Sequence, residues 1–196
     1  MVLPPSRDLR VPGEPPFSGI QTRKQSEATM NILEGIYSRR SIRNFTDKPV
    51  EQRDVLEIIK AGTWAPSGLN NQPWRFVIIR SSGVRNSLAR LTRYGTIVKN
   101  APICIAVFVD RDAMYDNAKD HQAMGACIQN MLLAIHALGL GAVWLGEILK
   151  NAEAVRLLLE LPDTNELMAV VALGHPASRD QQSQRKDISE VILNEC

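Results

Sequence analysis

From His121 to Gly146 the chain carries no Asp, Glu, Lys or Arg, and no other feature limits its possible folds as strongly. A run of that length could cross a bilayer. It is too polar for that: Gln122, Gln129, Asn130 and His136 are spread along it, and Gly139-Leu140-Gly141 divides it. The pattern predicts a helix over about Gln122–Leu138, apolar around most of its circumference, followed by a strand over Gly141–Leu145. Such a helix belongs in the centre of a domain or between two copies of one.

The flanking sequence supplies the layers around it. Ile32, Leu33, Ile36 and Tyr37 recur at helical spacing behind Asn31, a capping residue. A second helix is predicted over about Val50–Gly62, with Val55, Leu56, Ile58 and Ile59 on one stripe and Gly62 near its C-terminal cap. Strands are predicted over Trp74–Arg80, Ile103–Asp110 and Met168–Gly174. The last two are nearly continuous apolar runs, the pattern of strands covered on both faces. A further helix over Asn151–Leu161 stops at Pro162. The order α-α-β-β-α-β-α-β predicts an α+β layered fold. Pro4, Pro5, Pro12, Pro15 and Pro16 fall in the first 29 residues, without any periodic apolar run. Residues 1–29 are therefore expected to form a flexible arm, and 30–196 one folded domain.

Composition removes several classes of function. Lys+Arg 23 against Asp+Glu 21 gives a formal charge of +2, too little for a general nucleic-acid or membrane-surface field. Three widely spaced cysteines, Cys104, Cys127 and Cys196, with no C-x-x-C pair, exclude a disulfide scaffold and a zinc ribbon and fit a reducing cytoplasm. No signal peptide or membrane span is expected. Phosphate-loop, nucleophile-elbow and H-E-x-x-H motifs are absent, and Gly139-Leu140-Gly141 leads from helix to strand, the reverse of a dinucleotide fingerprint. His121, His136 and His175 are too scattered for a metal site, so none is expected. His136 and His175 read as packing or hydrogen-bonding residues, and His121 as one bordering a pocket.

Three polar segments remain. Arg39-Arg40-Ser41-x-Arg43 places three guanidiniums and a hydroxyl where a helix gives way to extended chain, a donor set suited to phosphate oxygens. Gln184-Arg185-Lys186 is a second basic cluster that could close on the same anion. Pro66-Ser67-Gly68-x-Asn70-x-Gln72-Pro73-Trp74 is a rigid loop whose amides and hydroxyl can meet the edge of a flat heterocycle. Trp144-Leu145-Gly146-Glu147 ends a strand at a glycine that permits close backbone approach. Each also has an ordinary reading, as solvated basic patch, turn or strand end.

In this order, R-R-S-I-R-x-F, A-P-S-G-L-N-N-Q-P-W-R-F, A-L-G-L-G-A-V-W-L-G, A-L-G-H-P and R-K-D-I-S-E-V-I resemble the nitroreductase family of FMN-dependent oxidoreductases over about Asn31 to Val191. The resemblance implies a central, mostly antiparallel sheet flanked by helices in an intertwined homodimer, with FMN at the interface. It places Arg39, Arg40, Ser41, Arg43, Arg185 and Lys186 on the cofactor's phosphate and pyrimidine, with Arg43 the choice for the N1 and C2=O end. Pro66, Ser67, Gly68, Asn70 and Gln72 would come from the second protomer, and Leu145 and Gly146 would lie near the reactive N5 edge. Trp64, His121 and Glu147 are candidates for the substrate pocket. The implied activity is NAD(P)H-dependent reduction of nitroaromatics, quinones or similar flat electron-poor acceptors, by ping-pong hydride transfer through flavin N5. No protein acid, base or nucleophile is then needed, because the cofactor carries the chemistry. Specialised branches of the same fold, a reductive dehalogenase or a flavin-fragmenting enzyme, and a non-catalytic flavin-binding protein are the alternatives. Two departures stand out: Ser81 to Asn100 is short, and His175 replaces the usual aromatic of A-L-G-Y-P.

Overall fold

The computed structural model describes residues 31–196; the Pro-rich stretch 1–29 lies outside the described residues. Ten regular elements follow one another: α1 Ile32–Ser38, α2 Gln52–Thr63, β1 Trp74–Ile79, α3 Ser82–Ala89, α4 Gly95–Asn100, β2 Ile103–Asp110, α5 Asn117–Ala137, β3 Gly141–Leu145, α6 Ala152–Leu158 and β4 Asn165–Gly174. The four strands form one sheet in the order β1-β2-β4-β3, and every neighbouring pair is antiparallel. This is the α+β layered architecture expected, and among the described residues no helix is long and apolar enough to cross a membrane.

The continuous apolar runs are the two central strands, and both of their faces are covered. Ile103, Ile105, Val107 and Val109 of β2 face a core with Val55 and Ile58 of α2 and Met124, Ile128 and Met131 of α5. Cys104, Ala106 and Phe108 face the opposite core, against Leu88 of α3, Val98 of α4 and Val155 of α6. Side chains alternate across a strand, so a strand sandwiched between helices needs apolar residues at every position. Burial also pushes the Cys104 and Cys127 thiols up to about 12, leaving both as packing residues.

The helices α3 and α4 are not foreseen in the sequence. Each spans only about two turns and buries a single apolar residue, Leu88 or Val98, so neither generates a readable period. Gly62 lies inside the last turn of α2 and not at its cap. A Cβ there would meet Met131 Cγ at 2.8 Å, so the glycine sets the close approach of α2 to α5.

The charge-free run divides as its glycines indicate. Helix α5 ends in Gly139, at φ +73°, whose N–H bonds to the His136 carbonyl while the Leu140 N–H reaches that of Ile135. That left-handed cap turns the chain straight into β3. One side of α5 fills the core. Its outer side, with Asn130, Leu133, Ala134 and Ala137, borders an open hollow of about 420 Å³ closed by α1 and the end of α2.

Candidate functional site

The segment after α1 adds itself to the free edge of β3. Ser41 bridges Ala142 in parallel, and the Ile42 N–H donates to the Ala142 carbonyl at 2.9 Å. Ile42 is buried against Gly141, where a Cβ would sit 2.8 Å from that of Ile42, so the glycine is what allows the segment to lie this close. Further on, Thr46 and Ala177 exchange backbone hydrogen bonds with His175 and Asn44. These contacts bring the C-terminal segment back over the start of the arginine motif.

The result is a polar hollow of about 230 Å³ lined by Arg39, Arg40, Ser41, Arg43, Gln181, Gln182, Ser183 and Arg185. The two basic clusters, far apart in sequence, do meet. Lys186 is exposed beside Arg185 and does not line the hollow. Arg40 is turned inward, donating to the Tyr37 and Arg39 carbonyls at 2.7 and 2.9 Å, and its Nε is buried without a partner. Burial, with Arg185 and Arg40 beside it, pulls Arg39 below the ordinary guanidinium value. Among the described residues no carboxylate pairs with any of these arginines. Guanidiniums gathered against their mutual repulsion make a cradle whose chemistry suits a multiply charged anion such as a phosphate.

His136 stands behind this cradle. Burial together with Arg179, Arg39 and Arg40 holds its pKa below the ordinary histidine value. The sequence marks it as a packing or hydrogen-bonding residue, and the structure shows it hydrogen-bonding; Arg179 gives no signal there, because the two meet only when the chain has folded.

The other polar loop lies elsewhere in the chain. Leu69, Asn70 and Gln72 adopt φ of 53°, 56° and 49°, a left-handed backbone that non-glycine residues rarely take. Strain of this kind persists only where surroundings enforce it, and it concentrates at functional sites. Two clasps enforce it here. The Ser67 hydroxyl accepts the Gln72 N–H at 3.2 Å. The Asn71 amide donates to Asp120 Oδ1 at 2.7 Å and to the Ala113 carbonyl at 2.9 Å. Asp120 is fully buried and also accepts the N–H groups of Tyr115 and Asp116, both at 2.9 Å. Burial pushes its carboxyl up, but those hydrogen bonds and nearby His121 outweigh it and hold the group below the usual carboxylate range. Asn71 and Asp120 are thus the loop's anchors, and neither stood out in the sequence. The signal was there: Asp120 is the acidic residue immediately before the charge-free run. Pro66 and Asn70 remain exposed, and Asn71 Oδ1 is a buried acceptor without a donor.

At the exit of β3 the Leu145 side chain is committed to the core, leaving its backbone and the exposed Gly146 to face outward. Glu147 is occupied: it accepts from Thr92 Oγ1 at 2.7 Å and from the Arg93 N–H at 3.1 Å, and it pairs with Lys150. Those bonds, Lys150 and Thr92 first, hold its pKa at about 2 and tie the α3–α4 connection to the end of β3. Trp64 borders the apolar hollow beside α1 and α5. His121 lies against Asn117 and Glu166 at the start of β4. Trp64, His121 and Glu147 therefore do not converge within one chain. Among the described residues no group of three or more His, Cys, Asp and Glu side chains could hold a metal ion.

The two polar regions occupy opposite corners of the domain. The cradle is anchored to α5 at His136 and the loop at Asp120, about 24 Å apart along the helix. The cradle and Gly146 lie on the β3 edge of the sheet and the loop leads into the β1 edge, about 14 Å across. Along β3, by contrast, Gly146 is only about 13 Å from Ala142, where Ser41 is pinned.

Comparison with known proteins gives this layered antiparallel sheet, with its arginine cradle on one edge and its strained polar loop on the other, a family. The chain belongs to the nitroreductase family, whose model matches residues 36–93 and 84–175. It is 35% identical over 150 residues to a protein of Methanothermobacter thermautotrophicus provisionally named NADH dehydrogenase/NAD(P)H nitroreductase, covering 76% of this chain and 78% of that one. It is 30% identical to the NADPH-flavin oxidoreductase of Vibrio harveyi, over 83% of this chain and 72% of that protein. Among solved structures, a provisionally named nitroreductase from Desulfovibrio desulfuricans in complex with FMN superposes with a TM-score of 0.80 at 50% identity, covering 84% of this chain and 96% of that chain.

Proposed function

We propose that this chain is an FMN-dependent oxidoreductase that takes electrons from NAD(P)H and passes them to a flat, electron-poor acceptor such as a quinone or nitroaromatic. The observation that carries the reading is the cradle: half-buried Arg39 and Arg40 with exposed Arg43 and Arg185, paired with no carboxylate among the described residues, on a sheet edge that runs on to an exposed glycine, in a member of this family. Arg39, Arg40, Ser41 and Arg185 would hold the FMN phosphate, and the exposed position of Lys186 gives it a peripheral, screening role. The backbone at Leu145 and Gly146 would lie along the isoalloxazine, and Arg43, next along the β3 edge, would offset negative charge at its pyrimidine end. When bound, FMN supplies the hydride-transfer centre, and a single open pocket serving donor and acceptor in turn gives ping-pong kinetics.

The functional unit in this reading is a homodimer. A phosphate held in the cradle of one chain puts the ring out of reach of that chain's own Pro66–Gln72 loop, at the far corner. A two-fold axis across α5 exchanges the helix ends and sets the partner's loop beside the cradle. The apolar hollow along α5 supports this choice of occupant, since Ile32 and Trp64 beside it are 74% and 75% exposed in the single chain. Apolar surface that continuous is characteristic of an interface.

A visible absorption spectrum of the purified protein, followed by anaerobic addition of NADH and then NADPH, tests cofactor, activity and donor together. A flavin band bleached by either nucleotide is expected. A colourless protein that takes up no added FMN would overturn the reading.

A further inference from the structure

One hydrogen-bonded chain joins both halves of the cradle through a single imidazole. The Ser38 hydroxyl donates to the Glu34 carbonyl at 2.6 Å, which leaves its oxygen to accept from His136 Nε2 at 2.8 Å. His136 is then the neutral tautomer with its proton on Nε2, and Nδ1 is free to accept from Arg179 Nη1 at 3.3 Å. The other arm of Arg179 donates to the Gly139 and Leu140 carbonyls, at 2.8 and 3.2 Å. Those carbonyls belong to the turn that ends α5, where a cation is favoured by the helix dipole.

The positions of the two partners give the chain its meaning. Ser38 is the last residue of α1, directly before Arg39. Arg179 opens the segment that carries Arg185. Around it Ser178 and Gln181 both donate to Asp180 Oδ1, at 2.8 and 2.9 Å. One ring nitrogen of His136 therefore holds the first arm of the cradle and the other holds the second, both against the same helix end.

We propose that His136 and Arg179 are positioning residues for the phosphate of the flavin: they lock the Ser38–Arg43 and Arg179–Arg185 arms in register so that guanidiniums from both converge on one anion. Neither residue need touch the ligand. The inference rests on the phosphate reading of the cradle given above. The clamp also accounts for a histidine kept neutral amid three arginines, since protonation of Nδ1 would remove the acceptor for Arg179. It explains how an exposed C-terminal segment, with few core contacts of its own, can present Arg185 reliably.

The test compares FMN with riboflavin, which lacks the phosphate, on full-length apoprotein by quenching of flavin fluorescence. Arg39→Ala and Arg185→Ala serve as references, and Arg179→Gln, His136→Phe and His136→Gln as probes. The expected result is that Arg179→Gln and His136→Phe weaken FMN by about tenfold while riboflavin changes by less than about twofold. His136→Gln, which offers an amide N–H to Ser38 and a carbonyl to Arg179, recovers most of the loss. Arg179→Gln is a surface change and keeps the test available if His136→Phe folds poorly. Wild-type FMN affinity in both Arg179→Gln and His136→Phe, or equal losses for FMN and riboflavin, would overturn the positioning role. Should Arg39→Ala and Arg185→Ala also leave the FMN-to-riboflavin ratio unchanged, the phosphate reading itself fails and this inference falls with it.

Discussion

The two polar regions of this domain are held in place by opposite means. The cradle is a gathering of like charges kept open by side chains, with a histidine and an arginine clamping its arms. The loop is a strained backbone, three residues in left-handed conformations, clasped by the Ser67 hydroxyl and, through Asn71, by one buried carboxylate. Charge is concentrated in one and nearly absent from the other. The difference teaches that each is half of a site: the cradle offers charge for an anion, the loop offers amide edges and a carbonyl, Asn71 Oδ1, that lacks a donor. A cofactor with a phosphate at one end and a flat heteroaromatic ring at the other needs both, and one chain sets them at opposite corners.

The strongest way to break this comparison is to prevent the corners from meeting. Leu133→Glu, on the outer side of α5, should give a monomer by sedimentation with no retained flavin, because a carboxylate at the centre of an apolar contact carries a large desolvation cost. A flavin-loaded monomer would show that one chain suffices. Next in size, Asp120→Ala removes an acceptor that serves three donors. It should lower stability by about 1–3 kcal/mol in a denaturant titration, since Asn71 keeps the Ala113 carbonyl while the Tyr115 and Asp116 N–H groups, in part-buried bonds, lose their acceptor. The same variant should weaken FMN and riboflavin alike, unlike changes in the cradle. A loss confined to FMN would mean the loop and cradle are not separate halves.

The connection at the end of β3 sharpens the contrast through its pH dependence. Glu147 is held at about 2 against an ordinary 4.5, so the folded state binds its proton less readily than the unfolded state. Stability from this group is complete above pH 4.5 and disappears as pH falls toward 2. Glu147→Gln should therefore be less stable than wild type at pH 7, with the gap closing across that interval. A gap that stays constant down to pH 2 would remove the ionised form from the account. The smallest effect is expected in the loop: Leu69→Gly relieves a left-handed φ and should change stability by no more than about 1 kcal/mol, the strain released being set against the entropy of the glycine. If Leu69 contacts a ligand across the dimer, flavin affinity falls even so.

How much of this was legible in the sequence follows from what each feature depends on. The charge-free run announced the central helix and the strand after it, and the apolar strands announced a sheet covered on both faces, because burial writes itself into every position of such elements. The covering helices α3 and α4 were missed, since a two-turn helix with one buried residue leaves no period to read. The arginine motif and the C-terminal cluster that could close on the same anion were both visible because charge is a property of residue type, and the family resemblance assigned them to one phosphate. The supporting residues were not visible. His136, Arg179, Asp120, Asn71 and Thr92 are ordinary residues whose roles come from partners 39 to 98 positions away, as in the Arg179–Leu140 and Ser38–His136 contacts. Glu147 shows the converse, a residue in a suggestive place whose carboxylate the fold has already used.

The central claim, that each site joins the cradle of one chain to the loop of another, is tested most directly by complementation. One chain carries Arg39→Ala with Arg185→Ala, the other Ser67→Ala with Asn70→Ala, and differently tagged heterodimers are purified and titrated with FMN. Two-fold symmetry predicts one intact site per heterodimer, built from the unaltered cradle of the second chain and the unaltered loop of the first, while each mutant homodimer has none. One tightly bound FMN per heterodimer is the predicted result. Heterodimers that bind no better than either homodimer would contradict it.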